Sequence, residues 1–324
     1  MASPSSTSFQ RPDLGRSFEE YGLRASWAGF VAQQVMPPMP VGLQKASFSK
    51  IPIEALLMTR DTARAPGGGY ARQDWDFEQD SYDCKEHGAE EVIDDGERAI
   101  YAYTIDIEQI GADRTYDAVA RNLEIRVADA IFNASTWTGA NLTTAVGTEW
   151  SNKASATPIA DVKAAIQKVW DNSGLTGLSM VINRKVFENL RVCDEIVNLV
   201  KYWGGDDPKQ GSISPKLIAT ALGLENIIVA NGVKNTAQKG QTASLSPIWS
   251  SEYAMIFKPV QSQDLKEPGL GRIFDFVADG SSISGAVEMY REERVRGDVV
   301  RVRHWTDEKV LYVQAGHLLS NITA

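Results

Sequence analysis

One helical run sets the scale of this chain. Between Asp113 and Thr136, Tyr116, Val119, Ala120, Leu123, Val127, Ala130, Ile131 and Ala134 recur at helical spacing. Asp113 stands where a helix cap is expected. Asp117 and Arg121 form an i,i+4 pair on the opposite side. At about 1.5 Å per residue, the run makes a rod of about 36 Å. A rod of that length spans a domain and organises whatever packs on it.

The segments before the rod carry little core. Residues 1–45 have scattered apolar residues and read as an arm, and Met36-Pro37-Pro38-Met39-Pro40 excludes helix and central strand there. Residues 46–92 mix extended stretches with turn signals, and Ile51 to Met58 is expected to be a strand. Pro66-Gly67-Gly68-Gly69 is a strong break, after which Tyr70 to Tyr82 resumes with aromatics among charges. The pattern is a long excursion, out and back, with a glycine tip. From Asp74 to Glu97 there are eleven acidic residues and one basic residue. That run is either a solvated face or a strip that meets an arginine-rich partner.

Beyond the rod, residues 157–280 read as an α/β domain. Thr157-Pro158 starts a helix whose buried stripe is Ile159, Val162, Ile166, Val169 and Trp170, and Gly174 stops it. Leu178 to Ile182, Asn226 to Ala230 and Trp249 to Phe257 are expected strands. Arg184 to Leu190 and Pro215 to Leu222 are expected helices, and Asn231 to Pro247 a loop. Residues 281–324 are strand-rich. Val299 to Trp305 alternates, Thr306-Asp307-Glu308-Lys309 is expected to turn the chain, and Val310 to Val313 to return.

Chemistry-bearing motifs are scarce. The 324 residues contain no phosphate loop, nucleophile elbow or dinucleotide fingerprint. Cys84-x-x-His87 supplies two ligands where a structural zinc needs four, so neither metal nor cofactor is expected. Two cysteines make no disulfide framework and suggest a reducing compartment. The 33 Lys and Arg against 42 Asp and Glu give a net charge of −9, which disfavours phosphate-neutralising DNA binding. No stretch approaches the apolar length of a membrane helix. The sequons at Asn133, Asn141 and Asn321 follow no secretion signal and read as chance matches. Carboxylates such as Glu91, Asp94 and Asp95 leave a distributed-carboxylate hydrolase open as an alternative. Arg291, Arg294, Arg296, Arg301 and Arg303 cluster near the end, suited either to a solvated edge or to carboxylates on another subunit.

The order of parts then carries a resemblance. Asp80-Ser81-Tyr82-Asp83-Cys84 through Ile93-Asp94-Asp95-Gly96-Glu97-Arg98 is similar to the segment before the spine helix in tailed-bacteriophage major capsid proteins. Asp161 to Ile166, Ser179 to Asn183 and Val186 to Leu190 resemble the opening of their A-domain, and Ser246 to Phe257 resembles its later strand. Tyr290 to His304 and Gly316 to Asn321 are similar to their closing strands. The resemblance covers residues 46–322 and rests on the ordered set, with no single diagnostic motif.

It implies an α+β, Hong Kong 97-type capsid fold. Its parts would be an N-terminal arm over 1–45, an E-loop over 46–92 and a P-domain over 93–156 with the spine helix at 113–136. An A-domain over 157–280 and P-domain return strands over 281–324 would complete it. The implied role is a non-enzymatic capsid subunit that self-assembles into hexamers and pentamers of an icosahedral head. The head would enclose double-stranded DNA without sequence-specific binding, form in the host cytoplasm and end as the virion capsid. Implied partners are copies of itself, a portal and, as an optional layer, decoration proteins, with no membrane. About 45 residues ahead of the excursion are too few for a long cleaved scaffolding segment, so a separate scaffold is expected. No residue matches the Lys–Asn cross-linking of some members. An encapsulin-like nanocompartment is the alternative on the same fold. Assembly contacts are expected at Gly67, Gly68, Gly69, Trp75, Arg291, Arg294 and Arg296.

Overall fold

The computed structural model describes residues 9–10, 29–59, 62–64, 66–70, 72, 77–101, 106–204, 213–238, 240–262 and 267–323. Two sheets and one long helix organise them. In the first sheet, the strand Gly297–Val310 is central. Lys85–Asp94 pairs antiparallel along one edge. Along the other edge lie Ala286–Glu292 and then Gly271–Phe276, both antiparallel. Pro38–Val41 adds a parallel strand at the margin, and Phe9–Gln10 pairs with Met289 and Glu288. Proline lacks the N–H that a central strand must donate, so the edge is where Pro38 and Pro40 belong.

The second sheet runs Thr143–Ala145, Gly316–Ser320, Ala254–Phe257, Ser179–Asn183 and Asn226–Ala230. It is buried on both faces, and alternation shows it. Met180, Ile182, Ile227, Ala254, Ile256 and Leu319 face the helices Pro158–Ser173, Arg184–Val192, Asp194–Gly204 and Pro215–Leu222. Val181, Ile228, Met255, Phe257 and Leu318 face the opposite side, toward the long helix. Gly174 ends the Pro158–Ser173 helix at φ 68°, a conformation that favours glycine.

The long helix spans Ile107–Ile131 and joins the two sheets. Ala112, Tyr116 and Val119 pack with Ile93, Val287, Met289, Val300 and Val302 of the first sheet. Leu123, Val127, Ala128 and Ile131 enter the core shared with the second sheet. The helix starts before the expected Asp113 because Asp106 caps it, accepting from the Gln109 N–H at 3.2 Å. It stops before the expected Thr136 because Asn133 turns the chain, accepting from the Ser135 N–H. The Trp137 indole donates to the Ile131 carbonyl at 2.7 Å and so satisfies a C-terminal acceptor.

Several expectations are corrected. The first 45 residues are not all a free arm: Val31, Ala32, Val35 and Met36 are buried in the same core as Val127. Ile53–Leu57 is a short helix, not a strand, built from Glu54, Ala55 and Leu57, which favour helix. No turn occurs at Thr306 to Lys309, because each polar side chain there finds a partner: Glu308 meets Arg126 and Lys309 meets Asp80. The chain instead turns at residues 293–296, with Arg296 at φ 47°. The expected loop Asn231–Pro247 holds a small hairpin, Val233–Asn235 with Leu245–Pro247, and the expected Trp249–Phe257 strand is confined to Ala254–Phe257. Thr157 makes no side-chain cap. Glu195 accepts from the Ile159 N–H at 3.1 Å in its place.

The division at residue 280 also shifts. Gly271–Phe276 belongs to the first sheet, and Gly316–Ser320 sits inside the second. Leu318 and Leu319 point to opposite faces and are both buried, which suits a strand covered on both sides.

Candidate assembly surfaces

The excursion has a firm base and an open end. Lys45–Lys50 and Glu78–Asp83 pair antiparallel from Lys45 opposite Asp83 to Lys50 opposite Glu78. At the base, Tyr82 stacks on Phe274 at 4.5 Å between ring centres, and Phe48 packs beside them. The Asp83 N–H donates to Asp307 Oδ2 at 2.9 Å, and Lys309 donates to Asp80. Cys84 is buried there, and burial pushes its thiol up to about 12, which makes it unreactive.

Between those strands the chain runs out and returns through an exposed tip. Gly67, Gly68 and Gly69 are all exposed, and Gly67 sits at φ 79°. Arg64 organises the tip: its Nε donates to the Gly68 carbonyl at 2.6 Å, and its guanidinium lies 4.7 Å from the Tyr70 ring centre. Leu57, Met58, Tyr70 and Phe77 are 60%, 61%, 78% and 64% exposed. Trp75, the other expected contact in this excursion, lies outside the described residues.

The arginine-rich strip meets the acidic strip inside one chain. Antiparallel pairing sets Glu90 opposite Arg301 and Gly88 opposite Arg303. Arg301 and Arg303 both grip the buried Glu288, at 2.6 and 2.8 Å. Arg303 also reaches Asp279 and Glu86, and Arg301 reaches Glu90. Arg291 makes a two-pronged contact to Asp95 at 2.5 and 2.7 Å. That hydrogen bond, ahead of other causes, holds the Asp95 carboxyl below its usual range. Within one chain the sheet register supplies Arg291 with this carboxylate, and its side chain stays 39% exposed. Arg294 and Arg296 lie exposed at the turn without an ion-pair partner among the described residues.

The same pairs bear on the hydrolase alternative. Glu91 meets Arg114 at 3.2 Å, Asp95 meets Arg291, and Asp94 Oδ1 accepts from the Gly96 N–H at 2.7 Å. These carboxylates are engaged and do not converge on a shared cleft. Cys84 and His87 also diverge, the thiol lying by the Phe274 carbonyl and the imidazole against His304. Among the described residues, no three His, Cys, Asp or Glu side chains gather as a metal site.

Two buried polar clusters were not anticipated from sequence. Glu124 accepts from the Val31 and Ala32 backbone N–H groups at 2.9 and 2.8 Å and from the Trp249 indole. Burial raises its pKa, and those donors partly offset the rise. Arg126 binds Glu308 with two hydrogen bonds and also donates to Thr306. His304 lies beside it, and burial, followed by the Arg126 charge, lowers the imidazole pKa to about 4. Positions 124 and 126 lie about 160° apart around the helix and serve different packed faces, so the available signal was Glu124 alone, set beside the apolar stripe of Leu123 and Val127.

The fold these parts define is the α+β, Hong Kong 97-type capsid fold: a ribboned excursion, a spine helix, a sheet under it and a second α/β layer. Solved structures share it, among them the following three. A phage-related protein from Bordetella bronchiseptica is 16% identical, with a TM-score of 0.68, covering 98% of both chains. The capsid of Cyanophage P-SCSP1u is 11% identical at a TM-score of 0.62, covering 90% of this chain and 88% of that one. The mature capsid of bacteriophage PhiM1 is 14% identical at 0.58, covering 89% and 86%. No family model matches the chain. No curated protein matches it.

Proposed function

We propose that the chain is the major capsid protein of a tailed double-stranded DNA bacteriophage, a non-catalytic subunit that closes an icosahedral head from hexamers and pentamers. One observation carries the reading. The excursion between Lys50 and Glu78 exposes Leu57, Met58, Tyr70 and Phe77 while its base is bonded to the body. Apolar groups held out in this way gain burial only on another molecule, and identical copies provide it by symmetry. The capsid structures that share the fold support the same reading. So does the net charge of −9, which lets an inner wall enclose a genome without gripping it.

Residues 46–92 would serve as the E-loop. The partners proposed are further copies, a separate scaffold, a portal and decoration proteins, with assembly in the host cytoplasm and the virion as destination. Expression followed by electron microscopy tests this. Closed particles are expected, alone or with a scaffold partner. A chain that stays monomeric in both conditions sinks the reading. DNA inside native particles would separate a phage head from an encapsulin-like compartment around enzyme cargo.

A further inference from the structure

We propose that the cavity between the short helix Ala32–Val35 and the middle of the long helix binds a small primary ammonium ion with an apolar body, with the Glu124 carboxylate as its counter-charge. The site stands apart from the exposed excursion and does not depend on the shell reading. The cavity has a volume of about 300 Å³, near the lower end of small-molecule sites. Phe30, Tyr116, Val119, Leu123 and Ile283 give it apolar and aromatic walls, and the exposed Gln34 lies where it opens. Glu124 lines the same space and is 1% exposed.

None of the described residues that line the cavity is basic. Glu124 Oε1 accepts from the Val31 N–H and the Trp249 indole, and Oε2 accepts from the Ala32 N–H at 2.8 Å. All three donors are neutral. Arg121, three residues back on the helix, holds its guanidinium 5.3 Å from the Phe30 ring centre, but it pairs with Asp117 at 2.7 Å and donates to the Val233 carbonyl. Arg126 is taken by Glu308. Burial raises the Glu124 pKa, and the offset comes from those neutral hydrogen bonds. A buried carboxylate without a cationic partner is costly. A carboxylate oxygen can accept a second hydrogen bond, so Oε2 keeps room for another donor.

The walls select the rest of the ligand. An ammonium group donates to the carboxylate and is attracted to the faces of aromatic rings such as Phe30 and Tyr116. An apolar body attached to it covers Val119 and Leu123. An anion would meet Glu124 with the wrong sign, and a neutral molecule would leave the charge unpaired. Glu124 also holds the Val31 and Ala32 N–H groups, so a bound cation tightens the attachment of this segment to the long helix.

Calorimetric titration of the full chain with benzylammonium tests the site, with benzyl alcohol and benzoate as neutral and anionic probes of similar shape. Benzylammonium is expected to bind saturably, about tenfold or more tightly than benzyl alcohol, and benzoate not at all. Hydrogen exchange at Val31 and Ala32 should slow as the site fills. Ala120 also lines the cavity, so Ala120→Phe fills it without removing a Glu124 hydrogen bond and should weaken binding about tenfold or more. Glu124→Gln should bring the ammonium down to the level of the alcohol. The absence of binding, equal affinity for ammonium and alcohol, or undiminished binding to a folded Ala120→Phe chain overturns the proposal. If Glu124→Gln does not fold, the comparison with benzyl alcohol decides the role of the charge in the unaltered chain. Particle formation judges the shell reading separately.

Discussion

Arg126 on the long helix and Glu308 on the central strand are joined by two hydrogen bonds, Nε to Oε2 at 3.1 Å and Nη2 to Oε1 at 2.9 Å. Both side chains are mostly buried, at 20% and 10% exposure. Removing one partner strands the other charge away from water. Arg126→Ala is therefore expected to cost about 3 kcal/mol, more than any surface pair would. Replacing both residues by Met and Leu should recover much of that loss. Equilibrium denaturation of the three variants measures it. An unchanged midpoint for Arg126→Ala would show that the pair contributes nothing to stability.

The same cluster predicts an acid response. His304 is buried beside Arg126 and His87, and its pKa is lowered to about 4. Burial lowers the His87 pKa as well. Between the ordinary value of 6.5 and about 4, the unfolded chain binds a proton at this position that the folded chain refuses. Stability contributed here is thus fully present above pH 6.5 and is lost as the pH falls toward about 4. A shift of this size is on the order of 3 kcal/mol. Glu308 and Glu288, whose pKa values are lowered, add a loss of the same sign at lower pH. His304→Gln should flatten the slope between pH 4 and 6.5 in denaturation curves. An unaltered slope would assign the acid response to other groups.

Glu124 supports a different prediction. It binds two backbone N–H groups of the Val31–Ala32 segment and the Trp249 indole, tying the buried part of the arm to the long helix and to the segment that leads into the Ala254–Phe257 strand. Glu124→Leu leaves three donors without their acceptor, at about 1–3 kcal/mol each. Hydrogen exchange should quicken first at Val31 and Ala32. If exchange rises evenly across both sheets, the carboxylate is a general support and not a tether of that segment.

These clusters mark where the sequence stopped being readable. The long helix, the α/β order and the glycine tip were legible because periodicity and turn residues are local signals. The Arg291–Asp95 contact was not, because strand register decides which carboxylate faces which guanidinium. Thr306 to Lys309 looked like a turn because polar residues in a row usually are solvated. Here Arg126 and Asp80 come from elsewhere in the chain to meet them. The arm misled for the same reason: Val31, Val35 and Met36 are too few to form a core, yet they complete one built by other segments.

Val127 tests the placement of the helix. It is fully buried where the helix meets the second sheet's core. Val127→Asp would bury an unpaired carboxylate at a cost of several kcal/mol, enough to consume about half the stability of a typical domain. Insoluble or unfolded protein is expected by circular dichroism. A soluble, assembled variant would mean that this side of the helix faces something other than core.

Deletion of Gly67 to Gly69 separates folding from assembly. The three glycines are exposed, and a Cβ at Gly67 or Gly69 would meet no atom within 4 Å, so little of the body depends on them. The strands at the base keep their pairing and their aromatic anchor whatever happens at the tip. Arg64 loses the Gly68 carbonyl that fixes its guanidinium, and the tip loses its φ 79° turn. The subunit should therefore keep its melting temperature within a degree or two, because surface changes away from packed groups usually shift stability by about 0.5 kcal/mol or less. Particle yield should fall sharply in the same preparation. Normal particles from the shortened chain would show that the tip makes no contact that assembly requires, and a lowered melting temperature would show that the loop braces its own subunit.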